Sequence, residues 1–83
     1  MVQHDIGDLI CPYGGHATHW FIVREGEVEA RATNNITPLV RFRSGATFGE
    51  AAVLLTGVWE ANYVCTKRTV LLSAAKDRLL AML

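Results

Sequence analysis

The residues best suited to chemistry in this sequence form a short loop, Thr47-Phe48-Gly49-Glu50, that leads into the apolar, helix-compatible residues 51–55. Gly49 allows the backbone to approach a ligand closely, and the amides of Glu50, Ala51 and Ala52 would have no partner inside the following helix. Unpaired amides and the positive end of a helix dipole favour an anion. A carboxylate at Glu50 is unfavourable beside an anion alone. The pattern therefore predicts a ligand with both a phosphate and a sugar hydroxyl, the hydroxyl donating to Glu50.

Enzymatic chemistry has little support in this sequence. There is no Gly-x-Ser-x-Gly motif, no Cys/His pair at a recognisable spacing and no glycine-rich Walker loop. Ser44 and Ser73 are better explained as a turn residue and a helix cap. We therefore expect a binding module with no catalytic residues and no cofactor.

A metal site is the competing hypothesis. Pro12-x-Gly14, followed by His16, His19 and Glu25-x-Glu27, is faintly similar to the pattern of cupins, which are small metal-binding barrels. However, histidines three residues apart in or beside a strand are expected on opposite faces. We therefore interpret both as polar loop residues and predict no metal. Cys11 and Cys65 form no CxxC pair and are predicted to be buried thiols.

Composition limits the partners and the location. The 83 residues are 51 % hydrophobic and carry a formal net charge of zero, so no electrostatic footprint for nucleic acid or an acidic membrane is present. The apolar runs are far shorter than the ~18 residues of a membrane span, and the first residues lack the pattern of a signal peptide. These features predict a single domain, residues 1–83, in the cytoplasm, without nucleic-acid or membrane contact.

The elements that must position the loop are mostly short strands punctuated by glycine. Residues 33–35 predict a hairpin turn, and Pro38 predicts an edge or a bulge. A last helix is predicted over residues 74–83, capped by Ser73, with Ala75, Leu79 and Met82/Leu83 on one face. That helix shows no stop signal, which favours a longer parent protein. The spacing predicts a mainly β fold, a β-roll or jelly-roll barrel with one inserted helix and one C-terminal helix; its strands are predicted at residues 9–11, 19–24, 27–32, 37–42, 61–65 and 69–72.

Three motifs together resemble the cyclic-nucleotide-binding domain family. They are Gly7-Asp8-x5-Gly14, Trp20-Phe21-Ile22-Val23-x2-Gly26-x-Val28 and Gly45-x2-Phe48-Gly49-Glu50-x-Ala52-Val53-Leu54. The third matches the family's phosphate-binding cassette, and the resemblance covers nearly the whole chain. It implies a regulatory β-roll that binds cyclic AMP or cyclic GMP. The family's lid helix would lie beyond the last helix of this chain.

The resemblance also assigns roles to residues. It implies that Glu50 binds the ribose 2′-hydroxyl and that the backbone of Gly49, Ala51 and Ala52 holds the cyclic phosphate. The ligand-binding residues expected on this basis are Phe48, Gly49, Glu50, Ala51, Ala52, Trp59, Glu60 and Ala61.

The sequence departs from the family where the family has Pro-Arg-x-Ala. Here the segment reads Val58-Trp59-Glu60-Ala61, so Trp59 replaces the arginine that pairs with the phosphate. Two interpretations of Trp59 stay open: it fills the phosphate pocket as part of the core, or it stacks on a base. Glu60 is expected to point outward when Trp59 points inward. Replacement cations to be checked are Arg41, Arg43, Lys67 and Arg68.

The function expected from these observations is that of a regulatory or sensory module of a larger signalling protein. Binding of cyclic AMP or cyclic GMP is expected to be weak or lost, and an attached or associated effector domain is the expected partner. Alternatives are a site for a nucleoside or another ligand without phosphate, a structural docking domain and, remotely, a metal-binding cupin. Kinases, kinase regulatory subunits, ion channels, exchange factors and transcription regulators all carry this module, so the effector stays open.

Overall fold

The computed structural model describes residues 1–34 and 36–81. Within these residues, eight strands form two antiparallel four-stranded sheets that face each other, with strand orders β1-β8-β3-β6 and β2-β7-β4-β5. This is the mainly β roll that the sequence predicts. The strands are β1 (Val2–His4), β2 (Leu9–Cys11), β3 (His19–Glu25), β4 (Glu27–Arg31), β5 (Pro38–Arg43), β6 (Thr47–Phe48), β7 (Asn62–Cys65) and β8 (Thr69–Ala75).

The described part of the chain also contains two helical segments. A π-helical turn, Ala52–Thr56, follows β6, and helix α1, Lys76–Ala81, follows β8. The sequence Thr56-Gly57 predicts the end of the inserted helix, and the structure confirms it, because Gly57 adopts the left-handed conformation there. The strands β1 and β6 were not predicted, since β1 has a single apolar residue, Val2, and β6 consists of only two residues.

The predicted boundary of the last helix is wrong. Ser73 and Ala74 do not cap and begin a helix; they pair with Phe21 and Trp20 in the ladder between β3 and β8. Strand pairing with β3 from His19 to Val23 stabilises the extended form against the helix propensity of the alanines. The predicted apolar face of this helix includes residues 82–83, which lie outside the described residues.

The hairpin between β4 and β5 agrees with the prediction at residues 33 and 34, and the third predicted turn residue, 35, lies outside the described residues. The side-chain oxygen of Asn34 accepts hydrogen bonds from the N–H groups of Ile36 (2.9 Å) and Thr37 (3.0 Å), which closes the turn. Pro38 lies in β5, the edge strand of its sheet, beside a register shift between Ala30 and Arg31. Proline has no backbone N–H to donate. An edge strand tolerates it because the outward-facing backbone positions need no ladder partner.

The core between the sheets is built from branched aliphatic and aromatic side chains. Val23, Val28 and Leu71 are almost completely buried. Five rings then form what we call the aromatic cluster, with Phe48 at its centre: its ring centroid lies 5.0–5.2 Å from three others and 6.4 Å from that of Trp59. The members of the aromatic cluster are Phe21, Phe42, Phe48, Trp59 and Tyr63. The cluster anchors residues 47–50, which we call the cassette loop, to both sheets.

Candidate functional site

The cassette loop has the local geometry that its sequence predicts. Gly49 follows β6 with a φ of +96°, a conformation that side-chain-bearing residues rarely adopt. The N–H of Val53 donates to the Gly49 carbonyl (2.9 Å), so the amides of residues 50–52 precede the first hydrogen bond of the turn. At the other end, the N–H of Gly57 donates to the carbonyl of Ala52 (2.7 Å), five residues back. This π-type closure widens the turn, a feature that recurs at functional sites.

Glu50 stands at the start of this turn and is half-buried. Its Oε2 accepts a hydrogen bond from the hydroxyl of Thr47 at 2.7 Å. The contact orients the carboxylate beside the loop without using its second oxygen. The assignment of Glu50 to a ribose hydroxyl stays a prediction.

Trp59, in the place of the family's arginine, is part of the core. It is 4 % exposed, and its ring meets the ring of Tyr63 edge-on at 5.1 Å between centroids. It also lies against the cassette: a Cβ placed on Gly49 would come within 2.6 Å of the Trp59 Cη2. Trp59 is therefore a core residue packed against the cassette, and its relation to a phosphate pocket stays a prediction.

A small cavity of about 190 Å³ remains beside the cassette, and we call it the cassette cavity. Its walls come from the loop, from the π-helical turn and from the segment that leads into β7. The lining residues are Gly49, Ala51, Ala52, Leu55, Thr56, Glu60 and Tyr63. Binding sites for small molecules usually enclose about 300–1,000 Å³, so the cassette cavity is smaller than is typical.

The structure brings only some of the predicted site residues together. Gly49, Ala51, Ala52 and Glu60 border the cassette cavity, whereas Phe48, Trp59 and Ala61 are buried in the core. Glu60 is exposed while Trp59 is buried, as predicted, although Glu60 still contributes to the rim.

Sequence reasoning missed Tyr63. It borders the cassette cavity, and its ring stacks on Phe48 at 5.0 Å. Burial raises the pKa of its phenol, helped by the nearby Cys11, Glu60 and Glu50, so it stays a neutral hydrogen-bonding group. The signal that could have identified it is its position two residues after Ala61, on the inward face of β7.

The four candidate replacements for the arginine lie elsewhere. Arg41 donates from its Nε to Glu29 at 3.0 Å, and Arg43 donates to Glu27 at 2.9 Å. Because Phe42 between them points into the aromatic cluster, both arginines lie on the outer face of their sheet. Lys67 and Arg68 are exposed in the turn between β7 and β8 and are not among the cavity's lining residues.

The outer-face carboxylates are held by these arginines. Hydrogen bonds from Thr66 and Arg43 lower the pKa of Glu27. Hydrogen bonds from Arg31 and Arg41 do the same for Glu29. Both glutamates are buried, so their partners are needed to offset the loss of hydration.

A larger cavity of about 510 Å³ lies between the loop that joins β2 to β3 and the strand β8. His16 and His19 both border it, so the expectation that they point to opposite sides is wrong. The reason is that residue 16 lies in a loop and makes a bridge with Val58 instead of continuing β3. Within residues 1–34 and 36–81, no group of three or more His, Cys, Asp or Glu side chains is arranged to hold a metal ion. The metal-binding alternative thus has no donor set in the described part of the chain.

Comparison with known families agrees with this geometry. The model of the family described as "Cyclic nucleotide-binding domain" matches residues 1–83. The chain belongs to this family. A search of curated proteins found no match. No helix among the described residues is long and apolar enough to span a membrane.

Solved structures show the same fold in longer proteins. The chain is similar to the EAL enzyme Bd1971 in its cGMP-bound form (22 % identity, 98 % of this chain and 22 % of that chain, TM-score 0.89). It is also similar to the catabolite activator protein of Thermus thermophilus (25 % identity, 98 % and 39 %, TM-score 0.83). A third structure is the regulatory subunit of a cAMP-independent protein kinase A from Trypanosoma brucei (22 %, 98 % and 34 %, TM-score 0.82). The domain thus spans 22–39 % of these three chains.

Proposed function

We propose that this cyclic nucleotide-binding domain is a regulatory module whose own affinity for cyclic AMP and cyclic GMP is weak or lost. The observation that carries the proposal is the position of Trp59. Its buried indole lies against Gly49, in front of the loop that would receive the phosphate. An indole offers one N–H donor and no positive charge, whereas an arginine offers a charged fork that pairs with two phosphate oxygens.

The surroundings of the cassette cavity support the same conclusion. No lysine or arginine is among the described residues that line it, and the one charged lining residue is Glu60. A carboxylate on the rim repels a cyclic phosphate instead of neutralising it. Arg41 and Arg43 are paired with buried glutamates on the other face of the sheet, which makes them unsuitable as substitutes.

Titration calorimetry of the native chain with cyclic AMP and cyclic GMP tests this proposal. The expected result is a dissociation constant far above micromolar for both nucleotides, or no measurable heat of binding. Micromolar or tighter binding of either nucleotide would show that Trp59 moves away from Gly49 or that another group replaces the arginine.

A second candidate function is the binding of a different ligand in the same pocket. The cassette cavity offers hydrogen-bonding groups without positive charge, namely Glu60, Thr56 and Tyr63, with Glu50 at the adjacent helix start. Such a set suits the hydroxyls of a nucleoside better than a phosphate. A thermal-shift comparison of adenosine, guanosine and inosine with the two cyclic nucleotides separates the candidates. Stabilisation by a nucleoside alone supports the second, and stabilisation by a cyclic nucleotide alone contradicts both.

The domain organisation, the partner and the cellular location are also part of this proposal, and the family membership supports them. We propose that the 83 residues form a single domain, that it acts on an effector domain of the same protein or of an associated one, and that it works in the cytoplasm. If neither class of nucleotide binds, a structural docking role for the domain is the interpretation that remains.

A further inference from the structure

The larger cavity, about 510 Å³, has the size of a small-molecule site and no assigned role. Its apolar lining residues include Phe21, Ile10 and Trp59, of which Trp59 borders the cavity with only a small part of its surface because it is 4 % exposed. The two rings belong to the aromatic cluster, with centroids 6.1 Å apart and planes inclined at 36°. Aromatic walls of this kind favour a flat aromatic ligand, which packs in offset or tilted arrangements against such rings.

The polar part of the lining consists of imidazole and hydroxyl side chains. His16, His19, Thr18 and Ser73 border the cavity, and the hydroxyl of Thr18 lies 3.0 Å from the Nδ1 of His19. No carboxylate is among the described lining residues. Burial raises the pKa of the Cys11 thiol, which also lines the cavity, to about 12, so it adds no negative charge at neutral pH. Imidazole and hydroxyl donors without a competing carboxylate favour a ligand with an anionic acceptor group.

The cavity is also joined to the cassette through the backbone. The N–H of Gly14 donates to the Trp59 carbonyl (2.8 Å), and the N–H of Trp59 donates to the Gly15 carbonyl (2.9 Å). A third bond runs from the N–H of Ala17 to the carbonyl of Gly57 (2.9 Å). The loop that borders the larger cavity is therefore fixed to the segment that ends the cassette. Trp59 belongs to both, since it borders this cavity and lies against Gly49.

We propose that the larger cavity is a second ligand site, which takes a planar aromatic carboxylate and communicates with the cassette through Trp59. The aromatic part lies against Phe21 and Trp59, and the carboxylate accepts from the imidazoles and hydroxyls at the rim. Because Trp59 is a shared wall, occupancy changes the environment of Gly49 as well. This site does not depend on whether a cyclic nucleotide binds to the cassette.

Nuclear magnetic resonance of the ¹⁵N-labelled native chain tests the proposal with 2-naphthoate as the probe. Saturable shifts are expected at the Trp59 indole N–H, at the amides of residues 14–19 and, through Trp59, at Gly49. Two matched probes, 2-naphthamide and 2-naphthylmethylamine, have the same ring system without the negative charge. The carboxylate should bind about tenfold more tightly than the amine. Absence of saturation, or equal affinity for all three probes, overturns the proposal.

Substitutions at the larger cavity show where 2-naphthoate binds. Ser73→Trp places a large side chain at the cavity and should abolish the shifts, whereas Thr33→Trp, an equally exposed position on the hairpin after β4, should leave them unchanged. His16→Gln and His19→Gln should reduce the preference for the carboxylate over the amine, and the distant His4→Gln should not. Binding that survives Ser73→Trp, or shifts confined to residues 51–56, overturns the assignment to this cavity. Should Ser73→Trp not fold, the comparison of the histidine variants decides the question.

Discussion

Replacing Gly49 with alanine tests the contact between the cassette and Trp59. Two costs are expected. A non-glycine residue at a φ of +96° is strained, by about 1–3 kcal/mol. In addition, the new Cβ would lie 2.6 Å from the Trp59 Cη2 inside a packed core, and such overpacking costs about 1–3 kcal/mol. Gly49→Ala should therefore reduce the free energy of unfolding by about 2–6 kcal/mol in total.

Gly45→Ala is the matched control for this substitution. Gly45 has a nearly identical φ of +91°, and a Cβ there would have no neighbouring atom within 4 Å. It should show the backbone cost alone, about 1–3 kcal/mol. Urea unfolding followed by far-ultraviolet circular dichroism, with unchanged m-values, gives both free energies.

A double-mutant cycle then isolates the contact itself. In a Trp59→Leu background the ring is gone, so Gly49→Ala should cost no more than Gly45→Ala does. The coupling free energy between the two sites should be about 1–3 kcal/mol. If Gly49→Ala alone is too unstable for a full transition, recovery of folding by Trp59→Leu gives the same information. Equal costs for the two glycines, or strict additivity with Trp59→Leu, would refute the proposed packing.

Two further predictions concern ionisable groups. The pKa values of Glu27 and Glu29 are lower in the folded state than the ordinary value of 4.5, so their stabilisation is complete above that value and is lost as the pH falls below it. The melting temperature should therefore fall as the pH decreases from about 5. The fall should be less steep in the double variant Glu27→Gln/Glu29→Gln than in Glu25→Gln, a control at an exposed position. Parallel curves for the two variants would contradict the ion-pair account. Burial also raises the pKa of the thiols of Cys11 (to about 12) and Cys65, so both should react slowly with a disulfide reagent at pH about 8 and rapidly in urea. Equal rates in both conditions would show that the thiols are accessible in the folded protein.

The sequence was sufficient to predict the fold and the cassette loop. Alternating strands, glycine turns and the Phe48-Gly49-Glu50 motif are local signals, and local signals survive in the structure. The failures came from contacts between distant residues. Ser73 and Ala74 are locally suitable for a helix start, yet pairing with β3 extends the strand through them.

The site was predicted less completely than the fold. Tyr63 and the larger cavity depend on how β7, the aromatic cluster and the loop after β2 come together, and no spacing rule contains that information. The two histidines illustrate the same limit: the rule for opposite faces applies to strands, and His16 lies outside one. That Arg41 and Arg43 do not serve the cassette could likewise be recognised only from their partners in the structure, Glu29 and Glu27.

The central claim, that Trp59 takes the place of the phosphate clamp in an otherwise retained cassette, is tested most directly by restoring the arginine. A charge-assisted hydrogen bond contributes about 1.5–3 kcal/mol, so Trp59→Arg should increase the affinity for cyclic AMP or cyclic GMP about 10- to 150-fold. Calorimetric titration of the native chain, Trp59→Arg and Glu50→Ala/Trp59→Arg measures this, and the account predicts a gain in the second protein that is reduced in the third. Unchanged affinity in all three proteins would contradict it.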